Sequence, residues 1–252
     1  MPIDATLGVP GHPQSGTGQT ALLTGLNAPE LFGRHFGPWV PTPLRAALAD
    51  ENLFARALRS GRSVAFANAY PAGFMEPGGR GVRRPGAFPF AARSAGVLTR
   101  DEADLRAGTA LVSSITTEGW RRHVDPALPD VALPAAGRSL AAIARRNELT
   151  VFAHYDTDYM GHRGDLGECV TAIERVDDFL GGLLEALSTD ILLVLTSDHG
   201  NLEDVTTGHT RNAVPLIASG PGAGALISRA CTVTDVSPLI LKVLERMSPT
   251  YG

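Results

Sequence analysis

The feature that most constrains this chain is a short apolar run that ends in two adjacent ionisable side chains. The run Ile191-Leu-Leu-Val-Leu195 has the length and composition of a strand buried on both faces. It leads into Thr196-Ser-Asp-His-Gly-Asn201, so a carboxylate and an imidazole follow the strand. Burying such groups is costly unless they meet a cation or strong hydrogen-bond partners. Because ligands bind at the carboxyl ends of strands in open α/β sheets, the run predicts a polar site there.

Segments of helix and strand composition alternate along much of the chain. Strands are predicted at 63–70, 149–155, 191–195 and 214–218, and helices at 44–48, 53–58, 138–146, 169–187 and 235–245. The helix at 169–187 is the clearest, because apolar residues recur at helical spacing from Val170 to Leu187. This alternation is typical of an α/β domain. We predict a three-layer sandwich with a mostly parallel sheet.

The middle of the chain departs from this pattern. Residues 77–85 carry basic charge in a sequence rich in glycine and proline, and further prolines interrupt the segment up to residue 136. We predict a core domain formed by residues 1–71 and 137–252, with residues 72–136 inserted as a small lid. The arginines at 80, 83 and 84 could close over an anionic substrate, but a charge run is more often simply solvated.

Composition limits the function classes. The chain has 252 residues, a formal net charge of −4 and a pI near 6.0, which argues against general binding of nucleic acids or acidic membranes. Its two cysteines, Cys169 and Cys231, form no CxxC pair, and the amino terminus lacks the basic and apolar regions of a signal peptide. We therefore expect a cytoplasmic protein with reduced thiols; the oligomeric state stays open.

Two further motifs carry metal-ligating side chains. Asp158 and His162 are four residues apart, so they point the same way on a helical turn. His209 lies in a Gly-His-Thr sequence downstream. Taken singly, these residues could equally be a surface Asp, an unrelated His and a packed core histidine. Together with Asp198 and His199 they form a set suited to two divalent cations, zinc or manganese, with magnesium as a further option.

The candidate nucleophile is Ser15. Residues 1–14 are predicted to be a loop, and Ser15-Gly-Thr-Gly-Gln leads that loop into a helix over 19–23. A helix amino terminus favours the negative charge of a phosphate, and a metal-activated serine is an effective nucleophile. Position alone is equally compatible with Ser15 or Thr17 acting only as a helix cap.

The motifs in this order resemble those of the alkaline phosphatase superfamily. Ser15-Gly-Thr-Gly-Gln, Asp158-Tyr-Met-Gly-His162, Thr196-Ser-Asp-His-Gly-Asn201 and Gly208-His-Thr-Arg-Asn212 are most similar to the group that includes cofactor-independent phosphoglycerate mutase and phosphopentomutase. The resemblance implies that one metal is held by Asp158, His162 and His209. It implies that a second is held by Asp198 and His199, with Ser15 attacking the phosphorus of a small phosphorylated substrate.

One superfamily feature has no counterpart in this sequence. The superfamily begins with a core strand ending in Asp-Gly, whose Asp completes the second metal site; Asp4 follows no apolar strand. We expect that the sequence lacks its natural amino-terminal strand. Two other functions therefore stay open: hydrolysis of phosphodiesters, nucleotides or sulfate esters at the same site, and a catalytically impaired binding protein.

Substrate contacts are predicted from position. Arg163 and Arg211 stand beside metal-ligand candidates, and a guanidinium matches phosphate oxygens. Thr17 lies beside the candidate nucleophile. Either arginine could equally be solvated.

Overall fold

The computed structural model describes residues 1–74, 76 and 79–246, and helices dominate it. In its first part lie β1 (Pro2–Ile3), α1 (Ser15–Thr24), α2 (Ala28–Phe32), a 3₁₀ turn (Thr42–Leu44), α3 (Arg45–Glu51), α4 (Leu53–Arg59) and β2 (Val64–Phe66). The middle part contains α5 (Arg80–Arg83), α6 (Ala87–Ser94), α7 (Glu102–Ala107), α8 (Glu118–His123) and α9 (Leu133–Ala144). The last part contains β3 (Leu149–Val151), α10 (Asp156–Arg163), α11 (Leu166–Ala186), β4 (Leu193–Thr196), β5 (Val214–Ser219), α12 (Ala223–Ile227), a 3₁₀ turn (Val233–Asp235) and α13 (Val236–Arg246).

The described strands form two sheets, which confirms the α/β class but not a mostly parallel sheet. β2 pairs in parallel with β3, whereas β5 pairs antiparallel with both β4 and β1. The physical reason lies in the connections. The helices α5–α9 carry the chain from β2 to the same end of β3, whereas only a loop joins β4 to β5, and a chain that turns back without a crossover helix pairs antiparallel.

Most predicted elements are present, with shifted ends. The helix predicted at 19–23 begins at Ser15, and the predicted loop 1–14 contains β1. Within the predicted lid, Ala87, Ala91 and Ala92 of α6 pack in the main hydrophobic core with Leu48 and Phe54. Residues 75, 77 and 78 of the lid lie outside the described residues, so only residues 79–85 of the basic loop are described. The boundaries of the lid stay a prediction.

The helix α11 buries only part of its predicted apolar stripe. Phe179 and Leu183 are buried against α9, whereas Val170, Ile173 and Leu184 are about half exposed. Cys169 is buried and Cys231 exposed, and both are free thiols. Across the described residues, no helix is long and apolar enough to cross a membrane.

Close packing of α9 against α11 depends on small residues, and it yields a stability prediction. A Cβ atom on Gly182 would lie 2.6 Å from the carbonyl carbon of Pro134, whereas one on Gly181 would meet no atom within 4 Å. We expect Gly182→Ala to lower the free energy of unfolding by about 1–3 kcal/mol, because the helices must move apart. Gly181→Ala is the matched control, and it should be neutral or stabilising by up to about 1 kcal/mol. Urea unfolding followed by circular dichroism measures both; equal effects would contradict this packing.

Candidate metal centre

The candidate site lies where β3 and β4 end and where α1 begins. β3 leads into α10, which carries Asp158 and His162, and β4 leads into the loop that carries Asp198 and His199. The helix α1 reaches this loop closely, since a Cβ atom on Gly18 would lie 2.8 Å from the carbonyl oxygen of Asp198. Glycine at this position therefore allows the amino end of α1 to approach the site.

Ser15 is the first residue of α1, and its hydroxyl faces the site. The side chain is buried, and its Oγ lies 3.0 Å from Nε2 of His199. The other ring nitrogen of His199 lies 3.4 Å from the carbonyl oxygen of Gly200, which can only accept a hydrogen bond. This contact favours a proton on Nδ1, so that a lone pair on Nε2 faces Ser15.

His209 is held by the backbone of the amino-terminal loop. Its Nδ1 donates a hydrogen bond of 2.8 Å to the carbonyl oxygen of Pro13. Its Nε2 lies 3.1 Å from Oδ1 of Asp158 and 2.8 Å from Nε2 of His162. A histidine fixed through one nitrogen and turned with the other toward a carboxylate is oriented as metal-ligating histidines are.

Asp158 is the centre of the cluster. Its Oδ1 lies 3.4 Å from Nε2 of His162 and 3.8 Å from Nε2 of His199. Burial raises the pKa of Asp158, but the hydrogen bond from His209 and the neighbouring imidazoles outweigh it and leave that pKa below its usual value. Burial lowers the pKa of His209, but Asp158 and the Pro13 carbonyl outweigh it and raise that pKa above its usual value.

The donor set fits a divalent cation. Oδ2 of Asp198 is buried and has no hydrogen-bond partner among the residues that the structure describes; it lies 3.5 Å from Nε2 of His199. Asp158, His199 and His209 each offer one ligand atom, and these atoms lie within 4.8 Å of one another. The rings of His199 and His209 stack with their centroids 3.8 Å apart. Carboxylate oxygens and imidazole nitrogens crowded in this way suit zinc or manganese.

The structure thus brings together all six residues predicted for catalysis and metal binding: Ser15, Asp158, His162, Asp198, His199 and His209. The grouping differs in one respect from the expected division into two metal sites. Asp158 lies near His199 as well as near His209. The two predicted ligand sets are therefore in contact at Asp158. Their roles as ligands stay a prediction.

The residues predicted to contact substrate are Arg163, Arg211 and Thr17. The two arginines are exposed, and Thr17 is buried in hydrogen bonds to the backbone. Arg163 is exposed and donates to the hydroxyl of Tyr159 at 3.0 Å on the surface of α10, while Arg211 is exposed beside the site. Thr17 is fully buried, and its hydroxyl links the backbone of Gln14 and Phe36. A role for any of the three in binding substrate stays a prediction.

Several residues that surround the site were not singled out from sequence. Nδ2 of Asn201 donates to Asp158 at 3.1 Å, and Glu203 accepts from the backbone nitrogen of Asn201 at 2.8 Å. Glu203 also accepts from the hydroxyl of Thr210 and so ties the two histidine loops together. Asn201 could have been found, since it ends the Ser-Asp-His-Gly-Asn motif. No sequence signal marks the Pro13 carbonyl.

A second polar cluster lies beside the site, at the start of α10. Nδ1 of His154 donates to the Ser113 carbonyl at 2.7 Å, and its buried Nε2 has no hydrogen-bond partner within the described part of the chain. Burial lowers the pKa of His154 and raises the pKa of Asp156. These residues connect the predicted lid to the core. Nothing in the spacing of His154 and Asp156 distinguishes them from the metal-ligand candidates.

Comparison with solved structures gives only a weak likeness. The PH0037 protein from Pyrococcus horikoshii superposes with a TM-score of 0.47 at 15% sequence identity, covering 78% of this chain and 46% of that one. A likeness at this level does not identify a fold.

Curated relatives are 2,3-bisphosphoglycerate-independent phosphoglycerate mutases. That of Cereibacter sphaeroides is 33% identical over 131 residues, which covers 48% of this chain and 26% of the relative. That of Desulforudis audaxviator is 30% identical over 129 residues, covering 48% and 25%. The chain therefore spans about a quarter of the length of the curated relatives it matches.

A family model matches the carboxyl-terminal part of the chain. The matched range, residues 134–246, begins in α9 and holds Asp158, His162, Asp198 and the histidines at 199 and 209, while Ser15 precedes it. The resemblance that the motifs indicate is thereby confirmed: residues 134–246 match the model of the Metalloenzyme superfamily, and the curated relatives are phosphoglycerate mutases.

Proposed function

We propose that this chain is a metal-dependent enzyme that transfers or hydrolyses the phosphoryl group of a small phosphorylated substrate. Ser15 is the nucleophile of the proposal. The observation that carries it is the buried Ser15 hydroxyl, 3.0 Å from His199 Nε2, at the amino end of a ten-residue helix that faces the metal-ligand cluster. The mutase names of the relatives support the same class of reaction.

Two divalent cations fit the proposal. Asp158, His162 and His209 would hold one, and Asp198 and His199 would hold the other. When bound, such cations make a hydroxyl more nucleophilic and neutralise charge on the phosphoryl group during transfer. The unpartnered, buried Oδ2 of Asp198 supports this assignment, because a buried carboxylate oxygen without a partner is costly.

The residues of the chain supply positioning and charge. Ser15 gives its proton to solvent, its oxygen attacks phosphorus, and the bond between phosphorus and the leaving oxygen breaks to give a phosphoserine, while the leaving oxygen takes a proton from solvent. The dipole at the amino end of α1 favours the negative charge of the phosphoryl group during this step. Water or an acceptor hydroxyl then takes the phosphoryl group, and Ser15 is regenerated. Hydrolysis and mutase transfer differ only in this acceptor.

Removing the nucleophile tests the chemical assignment. We expect Ser15→Ala to lower the turnover of p-nitrophenyl phosphate by at least about a hundredfold, because it removes the oxygen that attacks phosphorus. Ser228→Ala, which changes an exposed serine at the end of α12, is the matched control and should keep full activity. Activity is measured with added manganese or zinc.

The same assay separates the alternatives. Turnover that survives Ser15→Ala would exclude a serine mechanism. Turnover of bis(p-nitrophenyl) phosphate or p-nitrophenyl sulfate in place of the monoester would reassign the substrate class. Metal binding without turnover of any of the three substrates would favour a binding protein.

Metal content tests the ligand assignment without reference to activity. We expect His209→Ala and Asp198→Ala each to weaken binding of manganese or zinc by at least about a hundredfold, since each removes a direct ligand. The purified chain should hold about two metal ions per molecule. Mass spectrometry of metal content after dialysis measures the stoichiometry, and His123→Ala, an exposed histidine on α8, is the control. Unchanged affinity in both site variants would contradict the assignment.

A further inference from the structure

Two loops supply histidines to the metal-ligand cluster. Residues 198–203 follow β4 and contain His199, and residues 208–212 lead into β5 and contain His209. We call them the first and the second histidine loop. The ladder between β4 and β5 ends at Thr196, so it fixes neither histidine. Beyond the ladder, the separation of the two loops depends on contacts of their own.

The side chain of Glu203 joins the two histidine loops. One of its oxygens, Oε2, accepts from the backbone nitrogen of Asn201 at 2.8 Å within the first loop. The other, Oε1, accepts from the hydroxyl of Thr210 and from Nδ2 of Asn212 at 3.2 Å in the second loop. A backbone bridge lies beside these bonds, in which the nitrogen of Thr210 donates to the carbonyl oxygen of Gly200 at 3.0 Å. Two bonds therefore cross from loop to loop through Glu203.

The carboxylate of Glu203 matches these partners in charge. Burial raises the pKa of Glu203, but the hydrogen bonds from Thr210 and from the backbone outweigh burial and leave that pKa below its usual value. The group is therefore ionised at neutral pH and can only accept, and each of its partners is a donor. Hydrogen bonds to an ionised group are stronger than those between neutral groups, which makes this link between the loops an effective one.

Thr210 connects Glu203 to His209. The side chain of Thr210 is buried, so its hydroxyl needs a partner within the protein. A Cβ atom on Gly200 would overlap both this hydroxyl and the carboxylate of Glu203, so glycine at that position allows the groups to pack. His209 precedes Thr210 directly, and its Nδ1 donates to the carbonyl oxygen of Pro13. His209 is thus held through its own ring and through the residue that follows it.

Asn201 connects Glu203 to Asp158. Its side chain is buried, and its Nδ2 donates to Oδ1 of Asp158 at 3.1 Å. Its Oδ1 packs where a Cβ atom on Gly161 would lie, and it has no hydrogen-bond partner among the described residues. Turning the amide round would place this oxygen against the carboxylate of Asp158, which is repulsive. The contact with Asp158 therefore determines how Asn201 is oriented.

We propose that Glu203 is a positioning residue of the metal centre. It acts through its neighbours rather than as a ligand: through Thr210 it fixes the place of His209, and through Asn201 it fixes the place of Asp158. The inference rests on the metal-dependent function proposed above. Groups that hold metal ligands in orientation typically contribute about ten- to a hundredfold to metal affinity, because the ligand atoms must meet the cation at set distances.

Two variants of Glu203 test this role on the full chain. We expect Glu203→Ala to weaken binding of manganese by about tenfold, at the lower end of the range because the residue lies at the surface and water replaces part of the lost bonds. Glu203→Gln should recover part of the affinity, since its amide oxygen can accept from Asn201 while its amide nitrogen donates to the hydroxyl of Thr210. Isothermal titration with manganese measures both affinities.

Thr210 supplies a matched pair of variants. Thr210→Val keeps the shape of the side chain and removes the hydroxyl that Glu203 accepts from, so it should also weaken manganese binding by about tenfold. Thr210→Ser keeps the hydroxyl and should bind nearly as tightly as the parent chain. The double variant with Glu203→Ala and Thr210→Val should bind no more weakly than Glu203→Ala alone, because both changes remove the same bond.

Asp235 provides a control for a general loss of stability. Its Oδ2 accepts from two backbone nitrogens of its own loop at 2.9 and 2.8 Å, as Glu203 does between the histidine loops. The turn that contains it packs on Gly25, just after α1, so the length of this ten-residue helix, roughly 15 Å, separates it from Ser15. Asp235→Asn should lower the midpoint of thermal unfolding and leave the affinity for manganese unchanged.

Cobalt(II) gives a readout of ligand geometry that does not depend on stability. The visible absorption of bound cobalt(II) changes with the arrangement of its ligands. At saturating cobalt we expect an altered spectrum for Glu203→Ala and Thr210→Val, and the parent spectrum for Asp235→Asn.

The outcomes separate this inference from the proposed function. Equal manganese affinities in the parent chain, Glu203→Ala and Thr210→Val would overturn the inference and leave the proposed function standing. An equal loss of affinity in Asp235→Asn would overturn it as well, because the loss would then follow stability. A parent chain that binds no metal would overturn both.

Discussion

The hydrogen bond from His209 to the carbonyl of Pro13 connects the loop before β5 to the loop before α1, at the metal-ligand cluster. It spans 196 positions in the sequence and is 2.8 Å long and buried. Because the Pro13 carbonyl can only accept, it holds a proton on Nδ1 of His209 and directs Nε2 toward Asp158. The loop before α1 therefore orients a ligand candidate from the far end of the chain and, two residues later, supplies Ser15.

The convergence of the candidate site residues could be predicted from sequence, because they lie in short motifs that follow a strand, open a helix or, for His209, precede a strand. Asp158 and His162 do share one turn of α10, as their spacing predicts. The backbone partners could not be predicted. Pro13 acts through its carbonyl oxygen, which every residue has, and Asn201 acts through its contact with Asp158, a contact set by tertiary structure.

Most individual helices and strands could be predicted from sequence, but the way in which the strands pair could not. The strand at 191–195 is present as β4, but its neighbour runs antiparallel, and residue patterns do not encode which way the chain returns. The start of α1 at Ser15 was missed by four residues because Gly16 and Gly18 are poor helix formers. Tertiary contacts outweigh that preference: both glycines lie where a Cβ atom would meet the backbone of Trp39 or Asp198.

The described strands form two separate sheets, and this separation affects how the metal-ligand candidates are held. Asp158 follows a strand of one sheet and Asp198 follows a strand of the other, so no ladder of hydrogen bonds among the described strands fixes their separation. Loop contacts alone hold them, through Asn201, Glu203 and the amino end of α1.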